Sequence, residues 1–152
     1  MAKTGTSAYP SEMWVDSNVL LRLITGDPPK QAEEAAQLAE YLDRGILTLR
    51  VPSIVFAELC WVLESFYGKH PTEIAKVLTQ LTEVKGLEVE EKEIVLEALR
   101  DYDEQHVDYI DAYIAAKARH SKCPTVLTWN QKHFRRLQVG HVAPGEFLRS
   151  AE

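Results

Sequence analysis

The sequence predicts an α/β domain built on a short, mainly parallel central sheet. Three observations carry that reading. Short apolar runs of strand character alternate with longer stretches of helical spacing, the pattern of strands returned in parallel by crossover helices. The chain has 152 residues, enough for one domain with a sizeable core. Its composition, 45% hydrophobic and 26% charged, is that of an ordinary globular chain rather than a disordered, collagenous or disulfide-stapled one.

Residues 1–12 are small and polar and read as a flexible tail, which leaves 13–152 as a single domain. Met13–Val15 is a short strand ending at Asp16. Ser17 to Ile24 follows with helical spacing, Val19, Leu20, Leu23 and Ile24 falling on one side. Gly26-Asp27-Pro28-Pro29 stops that helix and starts the next, with proline near its first turn. Lys30 to Arg44 carries an alanine-rich face, and Gly45 ends it. Ile46–Val51 is a strand. Pro52-Ser53 opens a helix to about Tyr67, and Pro71-Thr72 opens another to about Lys85. Gly86–Val89 is a strand, Glu90 to Glu104 a polar helix, and Asp108 to His120 a helix with Ile110, Tyr113, Ile114 and Ala118 as apolar positions. Pro124 leads into the strand Thr125–Thr128. Gln131–Leu137 is a helix, Val139–Val142 a last strand, and Pro144 begins a short C-terminal helix.

No run of about 18 apolar residues is present, so no membrane span is expected. The N-terminal stretch lacks the apolar centre of a secretory signal. Cys60 and Cys123 match no metal spacing and both sit among apolar neighbours, which predicts buried, reduced thiols and a cytoplasmic protein.

The net charge is −6, from 17 basic and 23 acidic residues, which argues against an ordinary DNA-binding domain. The charge is unevenly spread. From Ala112 to Gly145 there is no Asp or Glu, while Lys117, Arg119, Lys122, Lys132, Arg135 and Arg136 all fall there, with His120, His133 and His141. A basic segment on an acidic chain suits a phosphate backbone, and it equally suits solvated helix faces.

Sites in parallel sheets collect beyond the carboxyl ends of the strands. Asp16 ends the first strand there, where its plainer duty is to cap a helix. Glu58 is the lone charge between Val51 and Leu63, beside Ile54, Val55, Trp61 and Val62 at helical spacing. A carboxylate so surrounded costs heavily in desolvation unless paired or metal-bound. Asp108 and Asp111 share one side of a first helical turn, as a capping box does. Asn130 follows a strand and Thr128, where an Asn commonly makes a turn and its carbonyl also suits a hard cation. Carboxylates converging at one place raise one another's pKa and call for a cation. An oxygen-only set selects Mg²⁺ or Mn²⁺ over zinc. Such ions activate water and stabilise the leaving oxygen of a phosphodiester.

At these residues the chain resembles the PIN-domain nucleases, and within them the VapC-type toxins of type II toxin–antitoxin pairs. Val15-Asp16-Ser17-Asn18-Val19-Leu20-Leu21 resembles the family's first motif, and Ser53-Ile54-Val55-Phe56-Ala57-Glu58-Leu59 its second. Asp108-Tyr109-Ile110-Asp111-Ala112 resembles the third. Leu127-Thr128-Trp129-Asn130-Gln131-Lys132-His133-Phe134 resembles the fourth, and Pro144-Gly145-Glu146-Phe147-Leu148 the family's ending. Four weak motifs in order over residues 13–149 are together fairly specific.

The resemblance implies a three-layer α/β/α sandwich, Mg²⁺- or Mn²⁺-dependent hydrolysis of RNA to a 5′-phosphate and 3′-hydroxyl, a homodimer, and a cognate antitoxin. It implies Asp16, Glu58 and Asp111 as metal ligands, with Asp108 helping, and Asn130 and Thr128 orienting the attacking water. Lys117, Arg119, Lys132, Arg135 and Arg136 are the candidates for RNA contact. Leu20, Leu21, Leu23 and Ile24 are candidates for contact with a second subunit or an antitoxin, burial in the core being the plainer alternative. The one departure is Asn130, where the fourth motif often has Asp. It removes a negative charge and sustains an alternative: a non-catalytic PIN-fold module that binds RNA or a partner protein. An aspartyl-phosphate enzyme is disfavoured, because position 18 is Asn rather than a second Asp and Thr128-Trp129-Asn130 lacks the lysine a receiver domain needs.

Overall fold

The computed structural model describes residues 8–152. Of the expected tail, residues 1–7 lie outside that range, and Glu12 already belongs to the first strand. The described residues fall into two compact units, one of residues 8–59 and 80–90, the other of 60–79 and 91–152.

The first unit contains β1 (Glu12–Trp14), α1 (Ser17–Thr25), α2 (Pro29–Asp43), β2 (Thr48–Val51) and β3 (Leu87–Val89), with the start of α3 (Ile54–Ser65). The three strands form one sheet in the order β1-β2-β3, and both pairings are parallel. Met13 faces Leu49 in register, and Leu49 faces Leu87. Pro29 stands at the first turn of α2, where its missing N–H costs nothing. Leu20, Leu42, Val51 and Phe56 are fully buried and Leu21 nearly so, so that the α1 leucines serve the core, while Leu23 and Ile24 are half-buried.

Gly86 enters β3 with φ +88. A Cβ there would lie 2.9 Å from Leu42 Cδ2 and 3.1 Å from the Leu47 carbonyl oxygen, so backbone conformation and space both demand glycine. Glu90 stays out of the helix the spacing assigned it. Its carboxylate accepts from the Ser53 N–H at 3.3 Å and the Ser53 hydroxyl at 3.2 Å, tying the end of β3 to the turn before α3.

The second unit contains α4 (Pro71–Thr82) up to residue 79, then α5 (Lys92–Glu104), α6 (Tyr109–Arg119), β4 (Thr125–Leu127), α7 (Gln131–Arg136), β5 (Gly140–Val142) and α8 (Pro144–Ser150). Helix α5 starts two residues later than expected because Glu91 takes a left-handed conformation at its N-cap, φ 54. Strands β4 and β5 pair in parallel, Val126 opposite His141. The expected α/β class holds, and every strand pairing is parallel.

Helix α6 turns Ala112, Ala115, Ala116 and Ala118 inward, and α5 offers Val95, Ala98, Leu99 and Tyr102. Small side chains let two helices approach closely. Arg119 closes this pair: Nε donates to Glu97 Oε1 at 2.7 Å, Nη2 to Asp101 Oδ2 at 2.8 Å, and Nη1 to the Leu137 carbonyl at 2.8 Å. His120 Nε2 meets the other Glu97 oxygen at 2.5 Å.

One thiol expectation is corrected. Cys60 is buried, and desolvation with the nearby Glu64 charge pushes its thiol well above the ordinary range. Cys123 is exposed, because it falls in the segment between α6 and β4.

Two stability outcomes follow. Gly86→Ala is expected to lower the free energy of unfolding by roughly 1–3 kcal/mol, from strain and the clash with Leu42, read by urea denaturation. Tyr109 is 4% exposed and its hydroxyl is the one buried side-chain polar atom without a hydrogen-bond partner among the described residues. Tyr109→Phe removes that orphan and keeps the ring, so the same measurement is expected to show a gain on the order of 1 kcal/mol.

Candidate functional site

Helix α6 opens with the third motif. Asp108 occupies the N-cap position with extended backbone, φ −64 and ψ 145, yet its side chain makes no capping hydrogen bond. Asp111 sits in the first turn. The capping-box use of these two acids is therefore not realised, and Asp111 is engaged elsewhere. Its Oδ2 lies 2.8 Å from His133 Nδ1 and 3.4 Å from Asn130 Nδ2. An ionised carboxylate only accepts, so Nδ1 carries the proton in this contact. The Asn130 amide nitrogen lies 3.0 Å from Nδ1 as well, and two donors do not bond one another, so the amide is turned by Asp111. Both side chains of the Asp111–His133 pair are about four-fifths buried, at 21% and 22% exposure.

Backbone geometry supports this arrangement from the other side. The Thr128 N–H donates to the Val142 carbonyl at 3.0 Å, continuing the β4–β5 pairing by one residue. The Thr128 hydroxyl then accepts from the Asn130 N–H at 2.9 Å, which turns the chain into α7. His133 lies three residues beyond Asn130, on the same side of the helix start. Ligand atoms of Asp108, Asp111 and His133 all lie within 4.8 Å of one another.

Of the residues singled out in the sequence, the second unit thus brings together Asp108, Asp111 and Asn130, with Thr128 bonded to the Asn130 backbone. His133 is the residue that sequence reasoning missed. In the sequence it stands in the basic segment and within the fourth motif without a role of its own, although its i+3 spacing from Asn130 carries the signal.

Asp16 and Glu58 belong to the first unit. Asp16 is exposed and caps α1, its Oδ1 accepting from the Val19 N–H at 3.2 Å. It also borders a cleft of about 300 Å³ between α1 and α2, lined further by Asn18, Arg22, Gln31 and Glu34. Arg22 Nε donates to Gln31 Oε1 at 2.8 Å across it. Glu58 is exposed rather than desolvated. Ile54 and Trp61 on the same helix are 77% and 70% exposed, so the apolar residues around Glu58 in sequence do not bury it.

The basic segment divides. Arg119 is committed to Glu97 and Asp101, and Lys117 Nζ pairs with Glu91 Oε2 at 2.5 Å. Arg136 donates to the His106 carbonyl at 3.1 Å. Lys132 and Arg135 are exposed on α7.

Glu97 is held below its ordinary titration range. Burial works to raise its pKa, but hydrogen bonds from His120 and Arg119 and their charges outweigh it and hold the carboxyl below its ordinary value. A folded-state pKa below the unfolded value of about 4.3 gives stability that is present above that pH and lost as pH falls through the folded value. Glu97→Gln is expected to flatten this acid limb of the stability curve. It also removes charge-assisted bonds on the order of 1 kcal/mol at neutral pH. Thermal melts between pH 3 and pH 7 check both effects.

Comparison with known proteins is consistent with this geometry. The profile of the PIN domain family matches residues 13–139, which spans all four motifs. A VapC ribonuclease of Aquifex aeolicus (strain VF5) is 27% identical over 132 residues, covering 87% of this chain and 96% of that protein.

Proposed function

Because the chain belongs to the PIN domain family, we propose that it is a divalent-metal-dependent endoribonuclease of the VapC kind, hydrolysing RNA phosphodiester bonds in the cytoplasm. The reading extends to a homodimer that a cognate antitoxin protein neutralises, as for VapC-type toxins. The observation that carries it is the gathering of Asp108, Asp111, Asn130 and His133 at the start of α6 and α7, together with a curated relative that is a ribonuclease. No helix among the described residues is long and apolar enough to cross a membrane.

The donors present suit a hard cation. Asp108 is exposed with no capping duty, and Asp111 is held by side-chain donors on one oxygen. Asp16, Glu58, Asp111 and Asp108 are the residues that would hold Mg²⁺ or Mn²⁺. Bound there, the ion supplies activation of water and neutralisation of charge at the phosphodiester. Asn130 and Thr128 would orient the attacking water. Lys132 and Arg135, exposed on α7, would receive the RNA backbone, contacts that position a strand without reading its sequence. Lys117, Arg119 and Arg136 already have protein partners, so their contribution to RNA is secondary.

The test is cleavage of total cellular RNA by the purified, partner-free protein with Mn²⁺ or Mg²⁺. Discrete fragments are expected, and they should vanish with chelator. Asp16→Asn and Glu58→Gln should each lower the rate by about a hundredfold or more, the scale of losing one electrostatic group at a reacting centre. Asp16→Asn should melt normally, because Asn caps a helix as well as Asp does. Cleavage at the original rate by Asp16→Asn refutes the ligand assignment. Metal binding without turnover on any RNA favours instead the non-catalytic module that Asn130 suggests.

A further inference from the structure

The family's fourth motif often supplies an acid where this chain has the neutral Asn130, so a negative charge is missing. One helical turn further, His133 Nδ1 lies 2.8 Å from Asp111 Oδ2 and within 4.8 Å of an Asp108 oxygen. That is the spacing of neighbouring donors around one small cation, whose bonds run at about 2.0–2.2 Å. It is equally the spacing of the hydrogen bond described above. Were His133 to hold a cation through Nδ1, the proton of this hydrogen bond would be displaced and the neutral imidazole would carry its proton on Nε2.

We propose that His133 is a metal ligand of this chain, a nitrogen donor that joins Asp108 and Asp111 and tilts the site toward Mn²⁺ over Mg²⁺. The proposal rests on the metal-dependent reading of the Asp108–Asp111 cluster. Its physical basis is donor softness. Mg²⁺ is held by oxygen and keeps its waters, whereas imidazole suits the transition metals. The neighbouring groups agree with the role. Asn130 Nδ2 leans on Asp111 Oδ2 at 3.4 Å and so keeps that carboxylate turned toward the ring. His133 is already half fixed in place, its side chain 22% exposed, so little freedom is lost on binding.

The experiment reads the metal and not the reaction. The protein is loaded with Mn²⁺ alone and examined by electron spin echo envelope modulation, with Mn²⁺ and Mg²⁺ affinities measured by titration calorimetry. Wild type should show ¹⁴N modulation from a directly bound imidazole, and His133→Gln should lose it. That variant should also lose Mn²⁺ affinity by roughly ten- to a hundredfold, the scale for disturbing a ligand set, with a much smaller loss for Mg²⁺. Modulation that survives in His133→Gln overturns the proposal, because another histidine is then the source. So does bound Mn²⁺ without modulation in wild type. If that binding is lost in Asp111→Asn, the oxygen-only site stands and His133 alone is excluded. Failure of wild type to bind Mn²⁺ at all overturns the metal-dependent reading and this inference with it.

Discussion

The packing of α6 on α5 is the constraint from which most of the second unit follows. Alanine at 112, 115, 116 and 118 leaves α6 without bulk on its inner face, and α5 answers with Val95, Ala98 and Leu99, all fully buried. Close approach puts the C-terminal end of α6 beside the acids of α5. Arg119 there satisfies two carboxylates and a carbonyl at once. A planar guanidinium does this with one side chain, where a lysine offers a point charge and no fork. With its far end pinned, α6 has a fixed axis, and its first turn presents Asp108 and Asp111 from a settled position. The anchoring of the candidate site therefore begins at Arg119, at the opposite end of α6.

The same clamp explains why the charge pattern of the sequence overstates the cationic surface. Six lysines and arginines without an acid between Ala112 and Gly145 look like an unopposed basic stripe. Two of them, Lys117 and Arg119, meet acids outside the segment, on α5 and at its cap: Glu91, Glu97 and Asp101. Counting charge along a chain cannot see partners contributed by a preceding helix. What is left for solvent or a ligand is narrower: Lys122 before β4, and Lys132 and Arg135 on α7.

Elements were more legible than environments. Every strand and helix expected from spacing, proline and glycine is present, with ends shifted by a few residues where a side chain intervened, as Glu91 does by taking a left-handed backbone at the start of α5. Burial was harder to read. Glu58 has apolar sequence neighbours and is exposed, because those neighbours include Ile54 and Trp61, which themselves face outward, while Cys123, between Lys122 and Pro124, is exposed in the segment before β4. Periodicity says which side chains share a face and not whether that face is covered. The role of His133 is hidden for a related reason: its contact with Asp111 is made across to α6, which spacing within the fourth motif does not show.

The Asn130 position shows how one substitution reshapes a site without emptying it. An acid there would set a second carboxylate close to Asp111, and both would need a cation to coexist. The amide instead donates to Asp111 at 3.4 Å, while its own backbone N–H is held by the Thr128 hydroxyl. Contact that would be repulsive becomes attractive, and the turn into α7 is braced by two side chains, Thr128 just past β4 and Asp111 on α6. The first turn of α7 then has room for an imidazole against Asp111, which a second acid would have drawn into an ion pair of its own. Loss of charge at position 130 and the presence of His133 at Asp111 are on this account one structural event, and the chemistry of the site has to be judged with both residues in place.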